Sequence, residues 1–317
     1  MTGPLPLNSE LSRPADPWSR VSAVIVTRDS AAVIGACLDS VSAAARLVVV
    51  DNASRDDTLA VVGRLRSDAD IIRNDKGLGF GNASNQGLAR VATEFALHLN
   101  PDATIHPGAV EAMVAAADRY PEAGLFGPQI QNPSGNIVKG YNFARHRRHG
   151  MTRDRRQETT PDGHCCTWFL TGAVWLHRMA ALRDVGPFDP AFFLFFEDDD
   201  ICTRYIDKGY RLLYVPEATA SHIGGGSGRA GWKALWERNY YFEWSQAYYE
   251  AKYNGRAAAA RLAREQIRLS GGRLWQSIRR GEFERALRLT ARIAGGLAYL
   301  SRIPTSKTAR RARPERR

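Results

Sequence analysis

The chain has 317 residues, of which 44% are hydrophobic and 24% are charged, and its formal net charge at pH 7 is +11. This length and apolar content suffice for one large or two ordinary folded domains, and they exclude a chain that is disordered throughout. No apolar stretch reaches the roughly 18 residues that a membrane-spanning helix needs, so the sequence predicts no transmembrane segment.

Residues 1–20 are rich in proline and lack the apolar core of a signal peptide, which predicts a flexible lead-in. The cysteines show no C-x-x-C spacing, which favours a reduced, cytoplasmic protein. Positive charge concentrates in residues 145–156 and in the C-terminal part of the chain, which ends in a basic tail predicted to be disordered (residues 304–317). Basic tails of this kind can contact nucleic acid or the anionic face of a membrane.

Two β-branched runs in the first part of the chain, Val21–Val26 and Leu47–Val50, have the length and composition of buried parallel strands. Between them, apolar residues recur at helical spacing: Val33, Ile34, Cys37, Leu38 and Val41. This pattern predicts a strand, a helix and a second strand in a β-α-β unit.

The inner side of a second predicted helix consists of Leu59, Val62 and Leu65. That helix leads to a third strand around Ile71. The glycine-rich turn Gly77–Gly81 then opens a helix near Asn82, which leads to a fourth strand that ends at Leu99. Four strands joined by helical crossovers predict a parallel, doubly wound α/β sheet.

The pattern changes beyond residue 120. Pro128, Pro133 and Gly135 predict a hairpin or an irregular lobe. Further on, Trp168–Leu176 is predicted as a strand, and Met179–Val185 as a short helix.

The acidic run Glu197–Asp200 opens another predicted helix, and Tyr210–Ala220 returns as a strand. From Trp232 onward the sequence is helical. One face of the last helix is apolar and consists of Phe283, Leu287, Ile293, Leu297 and Leu300.

Two acidic clusters are the strongest functional signal. Asp102 follows the apolar run Phe95–Leu99, and Glu197–Asp200 follows the apolar run Phe192–Phe196. If both runs are buried strands, the carboxylates stand at the mouth of a sheet, where open α/β folds bind ligands. Magnesium favours one or two protein carboxylates together with substrate oxygens, so Asp102 can hold a divalent cation against a diphosphate. The alternative is an ordinary turn aspartate.

Four consecutive acids repel one another, and a helix N-terminus needs only one or two of them, so capping alone does not explain Glu197–Asp200. The apolar run before the cluster would bury its root, which suits a general base. His222 ends a predicted strand, and together with Asp102 it could complete a site of oxygen and nitrogen ligands that accepts manganese as well as magnesium. The alternative is a histidine that is merely packed or exposed.

The second predicted strand ends in Asp51–Ser54. Asp51 could accept a hydrogen bond from a pyrimidine N3–H; alternatively, the segment only turns the chain and caps the next helix. The glycine loop Gly77–Asn82 does not match the G-x-G-x-x-G dinucleotide fingerprint, because it lacks the third glycine and follows the third strand. Close backbone approach to a ligand and simple helix packing both remain open for this loop.

Taken together and in chain order, seven segments resemble glycosyltransferase family 2, the inverting enzymes of GT-A fold: Val24–Thr27, Val50–Thr58, Gly79–Gly87, Leu99–Asp102, Phe169–Ala173, Gly186–Asp189 and Phe195–Asp198. Two more segments, Gly127–Pro128 and Tyr214–Glu217, resemble the rhamnosyltransferase-like branch, which builds bacterial cell-wall and surface polysaccharides.

The resemblance implies a GT-A catalytic domain over residues 21–228, followed by a helical extension over residues 229–303. The nucleotide-binding half would cover about residues 21–102 and the acceptor half about residues 103–228. The residues implied to contact or shape the donor site are Thr27, Asp51, Asn52, Gly79, Asn85 and Asn100.

The resemblance also implies the catalytic roles. Asp198 would deprotonate the acceptor hydroxyl, and Glu197 would position the acceptor. Asp102, with His222 as a further ligand, would hold Mg²⁺ or Mn²⁺. Asn100 stands where the family's D-x-D motif has its first acid, so the metal site carries less charge.

The implied reaction is a single displacement that inverts the anomeric carbon of a nucleotide-sugar. The donor would be dTDP-L-rhamnose or a related dTDP- or UDP-sugar, and the acceptor a glycan or a polyprenyl-diphosphate-linked glycan. The expected location is cytoplasmic. The basic tail and the amphipathic last helix add the hypothesis of peripheral contact with the inner face of the membrane; alternatively, that helix only packs on the catalytic domain.

Two other classes of protein share part of this pattern. A sugar-1-phosphate nucleotidyltransferase would carry a glycine-rich loop directly after its first strand, and Thr27–Ser30 contains no glycine. A nucleic-acid-binding protein would explain the positive charge but not the acidic clusters. A transferase that binds no nucleic acid is therefore the favoured prediction.

Overall fold

The computed structural model describes residues 16–143, 160–224 and 231–302. The predicted lead-in up to residue 15, the basic segments 145–156 and 304–317 and residues 225–230 lie outside the described residues. At the end of the predicted lead-in, Pro17–Arg20 forms a 3-10 helix, from which Trp18 Nε1 donates a hydrogen bond to Glu111 (3.0 Å).

The strands are β1 (Val21–Thr27), β2 (Arg46–Asp51), β3 (Asp70–Arg73), β4 (Phe95–Leu99), β5 (Ala103–Ile105), β6 (Ala123–Gln131), β7 (Ile137–Val138), β8 (Tyr141–Asn142), β9 (Cys165–Thr167), β10 (Phe169–Leu170), β11 (Val174–Arg178) and β12 (Arg211–His222). The helices are α1 (Ile34–Ser40), α2 (Thr58–Leu65), α3 (Phe80–Leu88), α4 (Ala109–Arg119), α5 (Met179–Val185), α6 (Glu197–Asp207), α7 (Trp232–Asn254), α8 (Arg256–Arg279) and α9 (Phe283–Leu300).

The first four strands form the predicted parallel sheet, in the order β3-β2-β1-β4. Every position of β1 is buried, which explains why its sequence is a continuous β-branched run rather than an alternating one. The register pairs Thr27 with Asp51, so the ends of β1 and β2 stand side by side at the carboxyl edge of the sheet. The predicted α/β architecture is confirmed.

Beyond β4 the sheet is mixed: β11 is antiparallel to β4 and β6, β12 is parallel to β6, and β5 is antiparallel to β12. Of the predicted hairpin or irregular lobe, the hairpin is confirmed by the antiparallel pairing of β6 with β7 around Pro133 and Gly135, but Pro128 lies within the long strand β6 and not in a turn. The glycines of β6 serve close packing instead of turns, since a Cβ on Gly124 would lie 2.8 Å from Tyr205. Pro128 lies where the register between β6 and β12 breaks, a position at which a sheet tolerates proline.

The apolar run Phe192–Phe196 is not a strand, and the prediction that it would be one is wrong. Phe195 and Phe196 have φ angles of +68° and +66°, which place them in the left-handed region and outside any strand conformation. Their rings pack on α7 instead of on the sheet: Phe195 and Phe196 each contact Phe242, and Phe196 also contacts Tyr249. Tertiary packing against a later helix therefore decides the conformation of this segment.

Smaller differences concern three other segments. The predicted strand Trp168–Leu176 is divided, because β10 and β11 are separated by a turn at residues 171–173. On α2, Leu65 is 41% exposed and does not face inward. Helix α4, which the sequence patterns above do not predict, packs beside β6 and β12.

The three C-terminal helices form a bundle in which α9 packs against both α7 and α8. Gly295 and Gly296 permit this contact: a Cβ on Gly295 would lie 2.3 Å from the Tyr240 carbonyl oxygen, and one on Gly296 would lie 3.0 Å from Ile267. Small residues thus form the buried side of α9, whereas Phe283 and Leu297, from its predicted apolar face, remain exposed. Among the described residues, no helix combines the length and apolar character required to cross a bilayer.

Candidate active site

The ends of β1 and β2 form the first wall of the candidate site. Asn52 N donates a hydrogen bond to the Thr27 carbonyl (2.8 Å), which continues the pairing of the two strands past their last residues. Both Thr27 and Asp51 are buried, and Asp51 Oδ1 accepts a hydrogen bond from Ser54 N (3.2 Å). The buried Thr27 hydroxyl has no hydrogen-bond partner within the described ranges.

Asn52 fixes the glycine loop that precedes α3. Its Oδ1 accepts a hydrogen bond from Leu78 N (2.8 Å), and its Nδ2 donates to the Gly79 carbonyl (3.3 Å). Gly79 has a φ of +89°, and a Cβ at this position would lie 2.3 Å from the Phe193 carbonyl oxygen. Phe80 N donates to that same oxygen (3.2 Å), so the loop is clamped between β2 and segment 192–196.

Helix α3 positions the chain that leads to the second acidic cluster. The Asn85 side chain accepts a hydrogen bond from Phe188 N (2.8 Å) and donates one to the Phe188 carbonyl (2.9 Å). Asn82 Nδ2 donates to the Pro190 carbonyl (3.2 Å). Because both polar atoms of Asn85 bind the backbone of Phe188, this residue shapes the site by holding residues 186–190 in place.

Asp102 and His222 meet through the antiparallel pairing of β5 and β12. The register pairs Ala103 with His222, and Ile223 N donates a hydrogen bond to the Asp102 carbonyl (3.1 Å). Asp102 Oδ1 lies 3.3 Å from His222 Nε2. The Asp102 side chain is buried, whereas that of His222 is 23% exposed, so the pair opens to solvent on the histidine side.

Asn100 completes this cluster. Its Nδ2 lies 3.4 Å from His222 Nε2, and an amide turned by 180° would present Oδ1 to the same point. Behind it, the Cys37 thiol contacts the Asn100 carbonyl (3.5 Å). Burial, followed by the charge of Asp102, raises the pKa of Cys37, so this thiol stays protonated beside the cluster.

The donor set fits a hard divalent cation. Two adjacent ligands on an octahedral ion at about 2.1 Å are separated by about 3 Å, close to the 3.3 Å between Asp102 Oδ1 and His222 Nε2. Among the described residues, no group of three or more His, Cys, Asp and Glu side chains converges. A cation at this point would therefore take the remaining ligands from Asn100, from water and from a bound substrate.

The turn at residues 171–173 brings the two acidic clusters together. Asn100 N donates a hydrogen bond to the Ala173 carbonyl (2.9 Å). A Cβ on the preceding Gly172 would lie 3.6 Å from the Asp198 Cβ. One short turn thus contacts both the Asn100–Asp102 segment and Asp198.

The four acids of the second cluster have different environments. Glu197 and Asp200 are buried, whereas Asp198 and Asp199 are partly exposed. Asp200 is held by Arg204 Nε (2.9 Å), Lys252 Nζ (2.7 Å) and the Tyr253 hydroxyl (2.8 Å), so it anchors α6 to α7. Asp198 combines partial exposure with a place beside the turn at residues 171–173, so of the four acids it is the best placed to meet a substrate.

Lys252 and Tyr253 hold the second acidic cluster in place, and the sequence analysis did not identify them. Lys252 Nζ also bonds Asp189 Oδ2 (2.7 Å). Burial would raise the pKa of Asp189, but the hydrogen bond and charge of Lys252 outweigh it and lower this pKa, so Asp189 stays ionised. No local pattern marks either residue, because a lysine and a tyrosine near the end of a helix are ordinary.

The chain is similar in sequence to known glycosyltransferases. The model of glycosyl transferase family 2 matches residues 22–176. The N-acetylglucosaminyl-diphospho-decaprenol L-rhamnosyltransferase of Mycobacterium tuberculosis is 28% identical over 205 residues, which are 56% of this chain and 66% of that protein. The pre-mycofactocin glycosyltransferase of the same species is 30% identical over 217 residues, which are 66% of this chain and 44% of that protein. The chain thus spans less than two thirds of the length of each relative.

The fold has counterparts among solved structures. A mannosyltransferase from Pyrobaculum calidifontis, in complex with GDP-Man and Mn²⁺, superposes with a TM-score of 0.53 at 15% identity, over 90% of this chain and 88% of that one. This likeness concerns the fold alone, and it identifies the curled α/β sheet with its C-terminal helices as a GT-A fold. The segment matched by the family model contains the ends of β1 and β2, the glycine loop and the Asn100–Asp102 turn. Residues 22–176, where the family model matches, therefore form a glycosyl transferase family 2 domain, as the sequence motifs predicted.

Proposed function

We propose that the chain is a metal-dependent, inverting glycosyltransferase that moves a sugar from a dTDP- or UDP-sugar to a hydroxyl of a glycan or polyprenyl-linked acceptor. The observation that carries this proposal is the turn at residues 171–173, which contacts both acidic clusters. The proposed pathway is bacterial surface polysaccharide synthesis, and L-rhamnose is the first candidate sugar because the M. tuberculosis relative is an L-rhamnosyltransferase.

The nucleotide would lie against the ends of β1 and β2. Thr27 would offer its buried hydroxyl, and Asp51 its carboxylate, to the base and ribose. Asn52 and Gly79 would act by fixing the glycine loop, and Asn85 by fixing residues 186–190.

Asp102, His222 and Asn100 would hold the cation, either Mg²⁺ or Mn²⁺. When bound, the cation neutralises the negative charge of the donor diphosphate and so makes it a better leaving group. A site with a single carboxylate leaves room for diphosphate oxygens as ligands.

Asp198 would accept the proton of the acceptor hydroxyl as the oxygen attacks the anomeric carbon. The bond from that carbon to the diphosphate breaks in the same displacement, so the configuration inverts and no covalent intermediate forms on the protein. Gly172 has no side chain beside Asp198, which leaves space for the acceptor. Glu197, the neighbouring buried acid, would orient it.

The test combines donor binding with transfer. In a thermal-shift panel of nucleotide-sugars, the true donor should raise the melting temperature more with Mn²⁺ than without it, because ligands that bind only the native state stabilise it. Asp102→Asn should remove most of the Mn²⁺-dependent part. Asp198→Asn should keep the donor-induced shift and lose transfer by about 100-fold or more.

Asp199→Asn is the matched control, because Asp199 is also partly exposed and lies on the same helical turn. It should transfer within a few-fold of the unmodified chain. Near-normal transfer by Asp198→Asn would contradict the proposal. So would a donor-induced change in melting temperature that is the same with and without Mn²⁺ and in Asp102→Asn.

A further inference from the structure

The most exposed large hydrophobic side chains lie together at one end of the C-terminal bundle. Among the described residues, Phe283 (86% exposed), Trp232 (74%), Trp275 (65%) and Ile278 (58%) rank highest. Helix α7 begins, α8 ends and α9 begins at this end. The short links at residue 255 and at residues 280–282 reverse the chain between these helices, and the contacts of Gly295 with Tyr240 and of Gly296 with Ile267 set their levels along the bundle.

Folding does not require this arrangement. Isolated exposed hydrophobic residues are common on soluble proteins, but a cluster of large ones at one place indicates an interaction surface. The bundle is held together elsewhere, through the glycines of α9 and through the packing of α7 on segment 192–196. The exposed side chains are thus available for a partner.

The charges around these side chains are mostly positive. Segments 231–236 and 273–288 contain six basic residues and two acidic ones. The basic residues are Lys233, Arg273, Arg279, Arg280, Arg285 and Arg288. The two acids pair with two of these basic residues, Glu282 with Arg285 (2.9 Å) and Glu284 with Arg288, which leaves a net excess of four positive charges.

We propose that this end of the bundle, which we call the aromatic end (Trp232, Trp275, Ile278, Phe283 and the six basic residues), docks on an anionic lipid surface. Tryptophan and phenylalanine side chains favour the boundary between headgroups and acyl chains, and arginine and lysine contact anionic headgroups. The surface is formed by three helix ends and does not require the residues beyond 302.

A lipid surface fits better than a nucleic acid. Nucleic acids are bound along grooves that combine positive charge with aromatic platforms. Here the exposed aromatic side chains stand at three helix ends, and the aliphatic Ile278 and the exposed Phe283 are among them. Such a surface is suited to shallow insertion.

Helix α7 connects the aromatic end to the candidate active site. Tyr241 of α7 stacks on Phe193, with ring centroids 4.4 Å apart. Trp232 lies nine residues away, which is about 14 Å along the helix. Docking would therefore hold the active site close to the bilayer. The docking itself does not depend on any sugar chemistry; only its use, access to a lipid-linked acceptor, rests on the proposed function.

The first test is sedimentation of the full chain with vesicles. Binding to phosphatidylcholine vesicles that contain phosphatidylglycerol should exceed binding to pure phosphatidylcholine about 10-fold and should weaken as salt is added. The double variant Trp275→Ala/Phe283→Ala should lose at least about 10-fold in binding. The control Leu65→Ala/Ile71→Ala, which removes two exposed hydrophobic residues far from the aromatic end in sequence, should bind like the unmodified chain.

A second pair of variants separates local charge from total charge. Arg279→Ala/Arg280→Ala at the aromatic end should reduce the preference for anionic vesicles, whereas Arg261→Ala/Arg264→Ala, near the other end of α8, should reduce it much less. Acyl-chain-brominated lipid should quench the tryptophan fluorescence of the unmodified chain more than that of Trp275→Ala. All these positions are exposed, so melting temperatures should stay unchanged.

Three results would overturn the inference. The chain could fail to bind anionic vesicles, or Trp275→Ala/Phe283→Ala could bind them as well as the control Leu65→Ala/Ile71→Ala. An oligonucleotide could also displace the vesicles, with its own binding lost in the Trp275→Ala/Phe283→Ala variant. The donor-induced thermal shift, measured without vesicles, tests the proposed function separately. If the chain binds the donor but no vesicles, only the docking inference is overturned. If it binds vesicles but no donor, only the proposed function is overturned.

Discussion

At the scale of single residues, two buried histidines stand out because the proposed chemistry does not use them. His98 on β4 lies under the ring of Phe80 (centroids 5.3 Å apart), and its Nε2 lies 3.0 Å from the Ser84 hydroxyl. When the Ser84 hydroxyl donates to the Phe80 carbonyl (2.9 Å), it can accept a hydrogen bond from a proton on His98 Nε2. His177 Nδ1 lies 3.0 Å from the Tyr205 hydroxyl. Burial lowers the pKa of His98 to about 3, and burial together with His98 lowers that of His177.

These pKa values predict loss of stability in mild acid. In the unfolded chain a histidine titrates near 6.5, so between pH 6.5 and about 3 the unfolded state binds more protons than the native state. The free energy of unfolding therefore falls as the pH falls below 6.5. For His98 alone the loss at pH 5 should be about 2 kcal/mol. Urea titrations at pH 7 and pH 5 measure it.

The variant His98→Phe isolates this effect from that of the carboxylates. Phenylalanine can keep the ring contact with Phe80, and Ser84 keeps its bond to the Phe80 carbonyl. The difference in stability between pH 7 and pH 5 should then shrink by about 2 kcal/mol. An unchanged difference would show that His98 does not cause the acid sensitivity.

At the scale of elements, segment 192–196 connects the glycine loop to the second acidic cluster. Its Phe193 carbonyl accepts a hydrogen bond from Phe80 N (3.2 Å), and its Leu194 carbonyl accepts one from the Ser245 hydroxyl of α7 (2.9 Å). Two consecutive left-handed residues then turn the chain into α6. Such a conformation costs free energy and persists only because its surroundings hold it.

Gly79→Ala should disturb this connection. Alanine would bring both an unfavourable φ and a clash with the Phe193 carbonyl, so the free energy of unfolding should fall by about 3 kcal/mol or more. Transfer should fall as well, because segment 192–196 leads directly into the acidic residues Glu197–Asp200 at the start of α6. Chemical denaturation and a transfer assay measure the two effects.

Gly108→Ala is the matched control. Gly108 has a φ of +81°, similar to that of Gly79, but a Cβ at this position would meet no atom within 4 Å apart from its own chain neighbours and helix backbone. Its cost should be only that of the backbone, about 1–2 kcal/mol, with transfer unchanged. Equal costs at the two positions would mean that the Phe193 contact contributes nothing.

At the scale of the whole molecule, α7 packs against the segments that form the candidate active site. Lys252 bonds both Asp200 and Asp189 at 2.7 Å, and Tyr249 bonds the Thr203 hydroxyl of α6 at 2.8 Å. The division predicted from sequence, with a catalytic domain that ends at residue 228, would cut these contacts. We propose that α7 belongs to the catalytic unit.

Truncation tests this division. A chain that ends after residue 228 should expose Phe192 and Phe196 and leave Asp200 without Lys252, so it should melt at least about 10 °C lower or lose its cooperative transition. A chain that ends after residue 302 is the control and should melt like the full chain. A cooperative, undiminished melt of the shorter chain would restore the predicted boundary.

The sequence predicted the features that depend on local patterns. The strands that end at Thr27, Asp51 and Leu99 are continuous apolar runs, and burial on both faces leaves that signature in the sequence. The fold family followed from short motifs in a fixed order. The pairing of Asp102 with His222 was also proposed from the sequence, and the structure places the two side chains in contact.

The features that the sequence did not predict depend on contacts between distant segments. Segment 192–196 looks like a strand in sequence, and its left-handed turn follows from packing on α7. Strand β6 contains glycine and proline, which normally interrupt strands. The Tyr205 ring occupies the space that a side chain on Gly124 would need, and Pro128 lies where the pairing with β12 breaks. The role of Lys252 follows from the docking of a helix, which no local pattern announces.

One irregularity in β12 has a consequence for anyone aligning relatives of this chain. Residues 216–218 have no partner on β6, since Val215 pairs with Pro128 and Thr219 pairs with Gln129. Successive side chains of a strand point to opposite faces, so the number of unpaired residues sets whether His222 faces Asp102 or the reverse side. Adding or removing one residue there would invert that orientation while every residue of the site stayed the same. A one-residue gap placed within residues 216–218 of an alignment therefore implies that the imidazole points to the opposite face of the strand. A histidine aligned with His222 across such a gap is not an equivalent ligand.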